Sequence, residues 1–506
     1  MSKQKYTELK NGSSPAVFNE ISVMEYDIFV IEVLNLLNSD TNHCISYHCF
    51  NSDGVLTFIC CIADDENGKI RLLSHNGYPD GSPLRSLTPD CPALHIFERE
   101  MHENYGVEFV GHPWLKPLRY PHDRSDPASI INNYPFYAID GEELHEVGVG
   151  PIHAGVIEPG HFRFICNGEK VLHLEIQLGY QHRGVEKLLV ERSDGLQRSL
   201  LAENIAGDTA VGHGLAHAQL IESLAGIEPS ESLQAERCIA LELERIAIHI
   251  GDTAALCGDV AYQLGQVVCE ALRTMVINTT QLWCGNRFGK GLIRPGGSNY
   301  PLDSETADEI ISVLREVGRR FLNVTECIYS LPSILGRFED IGSVTGSQAL
   351  RIGTVGMAAR SSGIPRDTRK THPFQSFRKY DMHPVTMETG DVLARALLRT
   401  REVSESIRII GSMADRWREE IKGHEKPVYD YRLMPGRLAV SLTEGWRGEI
   451  CHLAVTNSMG EIIHYKVIDP SMHNWMALAL AVRNQEISDF PICNKSFNLS
   501  YCGHDL

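Results

Sequence analysis

The sequence predicts an α+β protein: a small N-terminal α+β domain over residues 1–120, a linker over 121–143, and a larger, mostly helical domain with peripheral strands over 144–506. Three observations carry this. Before residue 120, short apolar runs alternate with Asn/Asp/Gly turns, the pattern of antiparallel strands. After Leu188, apolar residues recur three and four apart over long stretches, the pattern of helices with one buried face. Between them, Pro121, Pro127 and Pro135 stand among polar neighbours, as in a linker or an extended surface wrap.

Residues 23–37 are apolar-rich and of helical length. Strands are expected at 45–50 and 55–63 around the turn Asn51-Ser-Asp-Gly54, with a third at 70–73 after Asp64-Asp-Glu-Asn-Gly68. A helix over 94–105 is stopped by Gly106. In the second domain, strands at 161–165 and 171–176 flank Asn167-Gly168, a hairpin signal. Ile239, Leu243, Ile246 and Ile250 form one apolar helical stripe. Residues 306–322 read as a helix with Asp308 and Glu309 early and Arg319 and Arg320 late, as the helix dipole prefers. The last hundred residues read as strands and loops, and no internal repeat is evident.

Composition excludes several functions. The net charge of −18 argues against nucleic-acid binding and against electrostatic docking on anionic lipid. No apolar run reaches 18 residues, so no transmembrane helix is expected. The start, Met1-Ser-Lys-Gln-Lys-Tyr-Thr-Glu8, is polar and lacks the apolar core of a signal peptide, which favours the cytoplasm. The 14 cysteines are scattered without any C-x-x-C, so buried free thiols are expected rather than a zinc or iron-sulfur site. Neither a G-x-G-x-x-G fingerprint nor a phosphate loop is present, so the chain is not expected to bind NADH itself.

Several strings are more specific. Gly150-Pro-Ile-His153, Glu158-Pro-Gly-His161-Phe-Arg, Gly179-Tyr-Gln-His-Arg-Gly-Val-Glu-Lys187, Glu242-Leu-Glu-Arg-Ile246, Arg294-Pro-Gly-Gly297 and Asp469-Pro-Ser471 occur in order. Together they resemble the large subunit of group 4 energy-converting nickel-iron hydrogenases, of the formate hydrogenlyase type, and its homologue, the 49-kDa subunit of respiratory complex I. Phe97-Glu-Arg-Glu100, Tyr105-Gly106 and Gly111-His-Pro113 resemble the 30-kDa subunit of complex I. The resemblance spans nearly the whole chain in the fused order.

A member with nickel and iron would carry E-x-x-C-G-x-C-x-x-x-H along Glu203–His213 and a C-x-x-C pair near the C-terminus. Here the four cysteine positions hold Ala206, Thr209, Ser500 and Gly503. Thiolate sulfur is what binds soft metals in this way, and none of these side chains supplies it. The resemblance therefore implies a subunit of a complex I-like oxidoreductase without its own metal, on the cytoplasmic side of a membrane. It implies a small, 20-kDa-like partner with a [4Fe-4S] cluster, antiporter-like and helical membrane anchor subunits, and further iron-sulfur or flavin subunits.

The same resemblance assigns candidate roles. Glu158 matches a proton-passing carboxylate. His153 or His161, with His161 favoured, matches a histidine that hydrogen-bonds a quinone headgroup, and Asp259 matches its acidic partner. The tyrosine that donates the second bond to a quinone falls at Gly207, so quinone is a weakened candidate, with Asp208 and Thr209 as the adjacent polar groups. His213 lines the old metal pocket. Arg183, with Glu186 and Lys187, lies near the cluster-bearing partner. Each of these residues also has a plain structural reading, as a cap, a salt bridge or a satisfied core histidine. His213 and His217 share a helix face and have no evident third ligand for zinc.

Overall fold

The computed structural model describes residues 5–77, 81–155, 157–419 and 425–506; of the polar N-terminal stretch, residues 1–4 lie outside it. The chain begins with β1 (Thr7–Leu9), β2 (Ala16–Val17), β3 (Val23–Met24) and α1 (Tyr26–Leu37). The segment 23–37, expected as one helix, is split: Val23 and Met24 pair in parallel with Ser74 and His75, and the helix starts only after the extended Glu25. The meander β4 (Asn42–Ser52), β5 (Val55–Asp64) and β6 (Lys69–Gly77) follows the expected turns. Next come β7 (Leu84–Arg85), α2 (His95–Tyr105) and β8 (Phe109–Val110). Gly106 ends α2 in the left-handed conformation, at φ 69°, which glycine adopts without a Cβ penalty.

Residues 121–143 run without regular structure except a 3-10 turn over Ile131–Asn133. They are tied to the second domain: Gln177 Nε2 donates to Ile131 O (2.7 Å) and Tyr137 N to Glu175 Oε2 (2.7 Å).

The second domain opens with β9 (Leu144–Val149), β10 (His161–Asn167) and β11 (Lys170–Gln177), an antiparallel sheet with β10 central. The helices α3 (Val185–Glu191), α4 (Gly195–Glu203), α5 (Ala210–Ala225), α6 (Glu231–Asp259), α7 (Gln263–Cys284) and α8 (Ser304–Ile328) follow. Four short helices, α9 (Pro332–Phe338), α10 (Gly346–Arg351), α11 (Gly356–Arg360) and α12 (Thr368–Thr371), lead to the long α13 (Val392–Glu419). The stripe Ile239, Leu243, Ile246 and Ile250 is fully buried, and α6 packs against α7 and α13. Helix α8 continues past residue 322, so Arg319 is not terminal and instead pairs with Glu316 one turn back.

The C-terminal region carries β12 (Arg437–Glu444), β13 (Glu449–Thr456) and β14 (Ile462–Ile468), then α14 (Pro470–Val482), α15 (Phe490–Phe497) and α16 (Tyr501–Asp505). The three helices correct the expectation of strands and loops. Most of α14 is apolar and buried on nearly every side, so it lacks the one-sided periodicity that marks a surface helix.

The two domains share a core. Strand β2 adds to the edge of β12, with Ala16 opposite Leu438. Leu438, Val440, Leu442, Leu453 and Val455 join Phe50, Phe58 and Ile59 in one apolar cluster. An ion-paired cluster crosses the same junction: Glu100 meets both Arg119 and Lys466, at 2.5 Å from Lys466 Nζ. Burial works to raise the Glu100 carboxyl, but the two cations prevail and hold it at about 2. All 14 cysteines are free, and most are buried. Among the described residues, no helix is long and apolar enough to cross a membrane.

Candidate functional site

The segments 203–213 and 500–503, which the resemblance aligns with nickel-iron ligand motifs, come together between α4, α5 and α16. Arg183 clamps them: Nη1 donates to Asn204 O (2.6 Å), and Nη2 donates to Ile205 O (2.9 Å) and Cys502 O (3.1 Å). Glu203, which ends α4, is fixed by Arg294 (2.6 Å) and by Gly291 N (2.8 Å), so the Arg294-Pro-Gly-Gly297 loop positions the first segment. The second segment starts at Ser500, whose Oγ caps α16 by accepting from Gly503 N (2.9 Å).

Charged and hydroxyl side chains occupy the space between. Arg447, in the turn before β13, donates to both carboxylate oxygens of Asp208 at 2.7 Å and to Thr209 Oγ1 at 3.2 Å. Its guanidinium lies 4.0 Å from the centre of the Trp446 ring, and its Nε donates to Asn498 O (2.5 Å). Asp469 fills the other side. A Cβ added at Gly503 would lie 2.6 Å from Asp469 Oδ2, so a cysteine side chain there would collide with this carboxylate. Asp469 Oδ1 caps α14 by accepting from Ser471 N (2.7 Å).

A nickel-iron centre does not fit these residues. None of the four ligand positions carries a thiol, and one is blocked by a carboxylate. The nearby Cys502 does not replace them. It is a single thiol lying between the two aligned ligand positions, and burial, followed by the adjacent Glu158, pushes it up to about 12.

Behind Asp469 lies a chain of buried hydrogen bonds. His213 Nε2 is 3.1 Å from Asp469 Oδ2, and His213 Nδ1 is 3.1 Å from His452 Nε2. His452 Nδ1 is 2.8 Å from Tyr465 Oη, which is 2.9 Å from His217 Nδ1. His213 and His217 do share a face of α5, but they face His452 and Tyr465 rather than a third metal ligand. At the start of α5, Glu244 accepts from Val211 N (2.8 Å) and Gly212 N (3.1 Å). Burial is the larger influence and pushes its carboxyl up to about 8.

The rim of the pocket is the loop 150–160 between β9 and β10. Glu158 reaches the start of α16, where Tyr501 N donates to Oε2 at 3.4 Å. His153 Nε2 lies 2.8 Å from Gly160 O, and His161 Nδ1 lies 3.2 Å from Gly150 O. Thus Glu158, Arg183, Asp208, Thr209 and His213 are gathered in one cluster around the start of α16, with His153 and His161 in the loop at its rim. Asp259 departs from expectation: it is exposed at the end of α6, and no hydrogen bond or ion pair joins it to His161 among the described residues. A buried carboxylate of α6 lies two turns earlier at Asp252, which pairs with Arg399 (2.9 Å) and accepts from Asn498 (2.7 Å). Glu186 accepts from Val467 N (2.9 Å) and pairs with Lys466, whereas Lys187 pairs with Asp123 on the surface. Gly207, where the resemblance would put a tyrosine, is exposed, with open space where a side chain would start.

Arg447, Glu244, His452 and Tyr465 were not singled out from sequence. The available signal was Gly445-Trp-Arg-Gly448, a tight turn with an arginine between two apolar runs.

Residues 28–129 match the family described as respiratory-chain NADH dehydrogenase, 30 Kd subunit, and residues 259–435 match the 49 Kd subunit. Carbon monoxide-induced hydrogenase of Rhodospirillum rubrum is 31% identical over 70% of this chain and 97% of its own length. The chain belongs to the family that unites these hydrogenase large subunits with the complex I 49-kDa subunits. Formate hydrogenlyase subunit 5 of Escherichia coli is 26% identical over 82% of this chain and 76% of its own. In fold, the chain is similar to a subunit in the structure of the membrane-bound sulfane sulfur reductase, an archaeal respiratory membrane complex. That match has a TM-score of 0.67 at 20% identity and covers 73% of this chain and all of the other. Relatives of this chain are subunits of oxidoreductase complexes, both hydrogenases and NADH-quinone oxidoreductases.

Proposed function

We propose that this chain is the peripheral, cytoplasmic-side subunit of a complex I-like membrane redox complex, working without a nickel-iron centre. Residues 1–120 and 144–506 are its two domains and 121–143 the strap between them. A small partner carrying a [4Fe-4S] cluster would close the pocket, and antiporter-like subunits would move the ion. The observation that carries this reading is the exchange inside the pocket: Asp208–Arg447 and Asp469 stand where the family binds metal. Groups whose charge responds to a neighbouring redox change remain, while the thiolates are gone. Ile152 and Ile157, exposed on the rim loop, supply the apolar surface that a partner would cover.

Glu158 would pass protons at the pocket mouth, with His161 and His153 as further responding groups. The test is purification of the intact complex with metal analysis and transport assays. No stoichiometric nickel is expected, and Glu158→Gln should abolish coupled ion transport while the complex still assembles. Stoichiometric nickel with hydrogen turnover, or unimpaired transport in the variant, would overturn the reading. Turnover of a quinone analogue lost on His161→Ala would redirect it to quinone reduction.

A further inference from the structure

The chain from Asp469 to His217 has a property that separate core hydrogen bonds lack: its donors and acceptors all run in one direction. Its members are buried to within about one per cent exposure. An ionised Asp469 only accepts, so His213 Nε2 must carry a hydrogen. In neutral His213, Nδ1 then accepts from His452 Nε2–H. His452 Nδ1 accepts from the Tyr465 hydroxyl, whose oxygen accepts from His217 Nδ1–H. This leaves the lone pair of His217 Nε2, which is buried and has no hydrogen-bond partner among the described residues. One carboxylate therefore sets the tautomer of three histidines.

We propose that Asp469, His213, His452, Tyr465 and His217 form a proton relay running from the rebuilt pocket along one face of α5 to His217. This rests on the pocket's proposed role in redox coupling. A water-derived proton binds His217 Nε2, and His217 Nδ1–H passes to Tyr465 Oη. The Tyr465 hydroxyl hydrogen passes to His452 Nδ1, His452 Nε2–H passes to His213 Nδ1, and His213 Nε2–H passes to Asp469 Oδ2. One proton enters and one carboxylate is neutralised, and the reverse sequence returns it.

The surroundings decide when the relay conducts. Burial, with Arg198 and Arg294 facing His217, disfavours a resting cation there and pushes it down to about 3. Burial also disfavours charge on His452, with His213 and His217 facing it, while Tyr465 is faced by Tyr431, Arg198 and Cys451. At the other end, burial raises Asp469, but His213 and Arg447 outweigh it and favour the ionised form. Neither end holds the extra proton at rest. Added negative charge in the pocket tips Asp469 towards protonation, so the relay loads when an electron arrives nearby.

The test uses the full chain with 15N-labelled histidine, and then the intact complex. In the wild-type background, Asp469→Asn is expected to move the His217 ring-nitrogen signals, because the tautomer change travels along the relay. In a Tyr465→Phe background, the same substitution is expected to leave them unmoved. His452→Gln gives the same break should Tyr465→Phe fold poorly. In the complex, dithionite reduction is expected to take up one proton fewer per chain in Tyr465→Phe, with electron uptake unchanged. Equal His217 responses in the intact and broken backgrounds would overturn the relay, whatever the complex proves to catalyse. Unchanged proton uptake would overturn its link to reduction.

Discussion

The floor of the pocket and its rim are held by different kinds of contact. On the floor, Asp469, His213, His452, Tyr465 and His217 are buried and bind one another side chain to side chain. On the rim, Glu158, His153 and His161 are half-buried; their hydrogen bonds at 2.8–3.4 Å go to backbone groups, and the two histidines otherwise touch the rings of Phe162 and Phe136. A floor of this kind has one arrangement, because losing any member leaves a buried polar group without its partner. The rim can change partner at small cost. The pocket thus joins a rigid base, where charge is positioned, to an adaptable mouth.

The largest expected effect breaks the floor. Asp469→Ala should cost about 2–4 kcal/mol in unfolding free energy, because it strips a buried partner from His213 and the cap from α14. Denaturant unfolding at neutral pH measures it. Gly503→Cys, which restores one lost ligand, should cost about 1–3 kcal/mol, since the new Cβ meets Asp469 Oδ2 at 2.6 Å. If the variant is as stable as the parent, Asp469 is not fixed and the contrast with the rim fails.

Glu244 sharpens the comparison through pH. Its carboxyl is raised from 4.5 to about 8 by burial, so the folded state keeps a proton that the unfolded chain releases. Its contribution is present below pH 4.5 and is lost as pH rises to about 8. The difference in melting temperature between Glu244→Gln and the parent should therefore shift in the variant's favour across that window and level off above it. The smallest effects lie at the rim. Glu158→Gln and Gly207→Ser should change stability by less than about 0.5 kcal/mol, since one loses only a 3.4 Å contact and the other enters open space.

Much of the fold was legible because it is written in local patterns: the Asn51–Gly54 turn, the 3.6-residue stripe of α6 and the stop at Gly106. Strand β2 has two residues and no alternation to read, and α14 has no polar face. The site was half legible. Glu158, Arg183, Asp208, Thr209 and His213 sit in motifs, whereas His452 and Tyr465 look like ordinary strand residues until β13 and β14 are laid against α5. The expectation for Asp259 rests on the match of Gly258-Asp-Val-Ala261 to the family's acidic partner, but α6 ends there in the open, and Asp252 is the carboxylate buried against Arg399 and Asn498.

The edge pairing of β2 with β12 sets an order for synthesis. Residues 16 and 17 leave the ribosome early, yet their partners, 437 and 438, lie more than four hundred residues later. Until β12–β14 emerge, Phe50, Phe58 and their neighbours have no far wall, and the first domain waits with an open apolar face. A chain truncated before residue 437 should therefore accumulate as aggregate or as chaperone client rather than as a folded fragment.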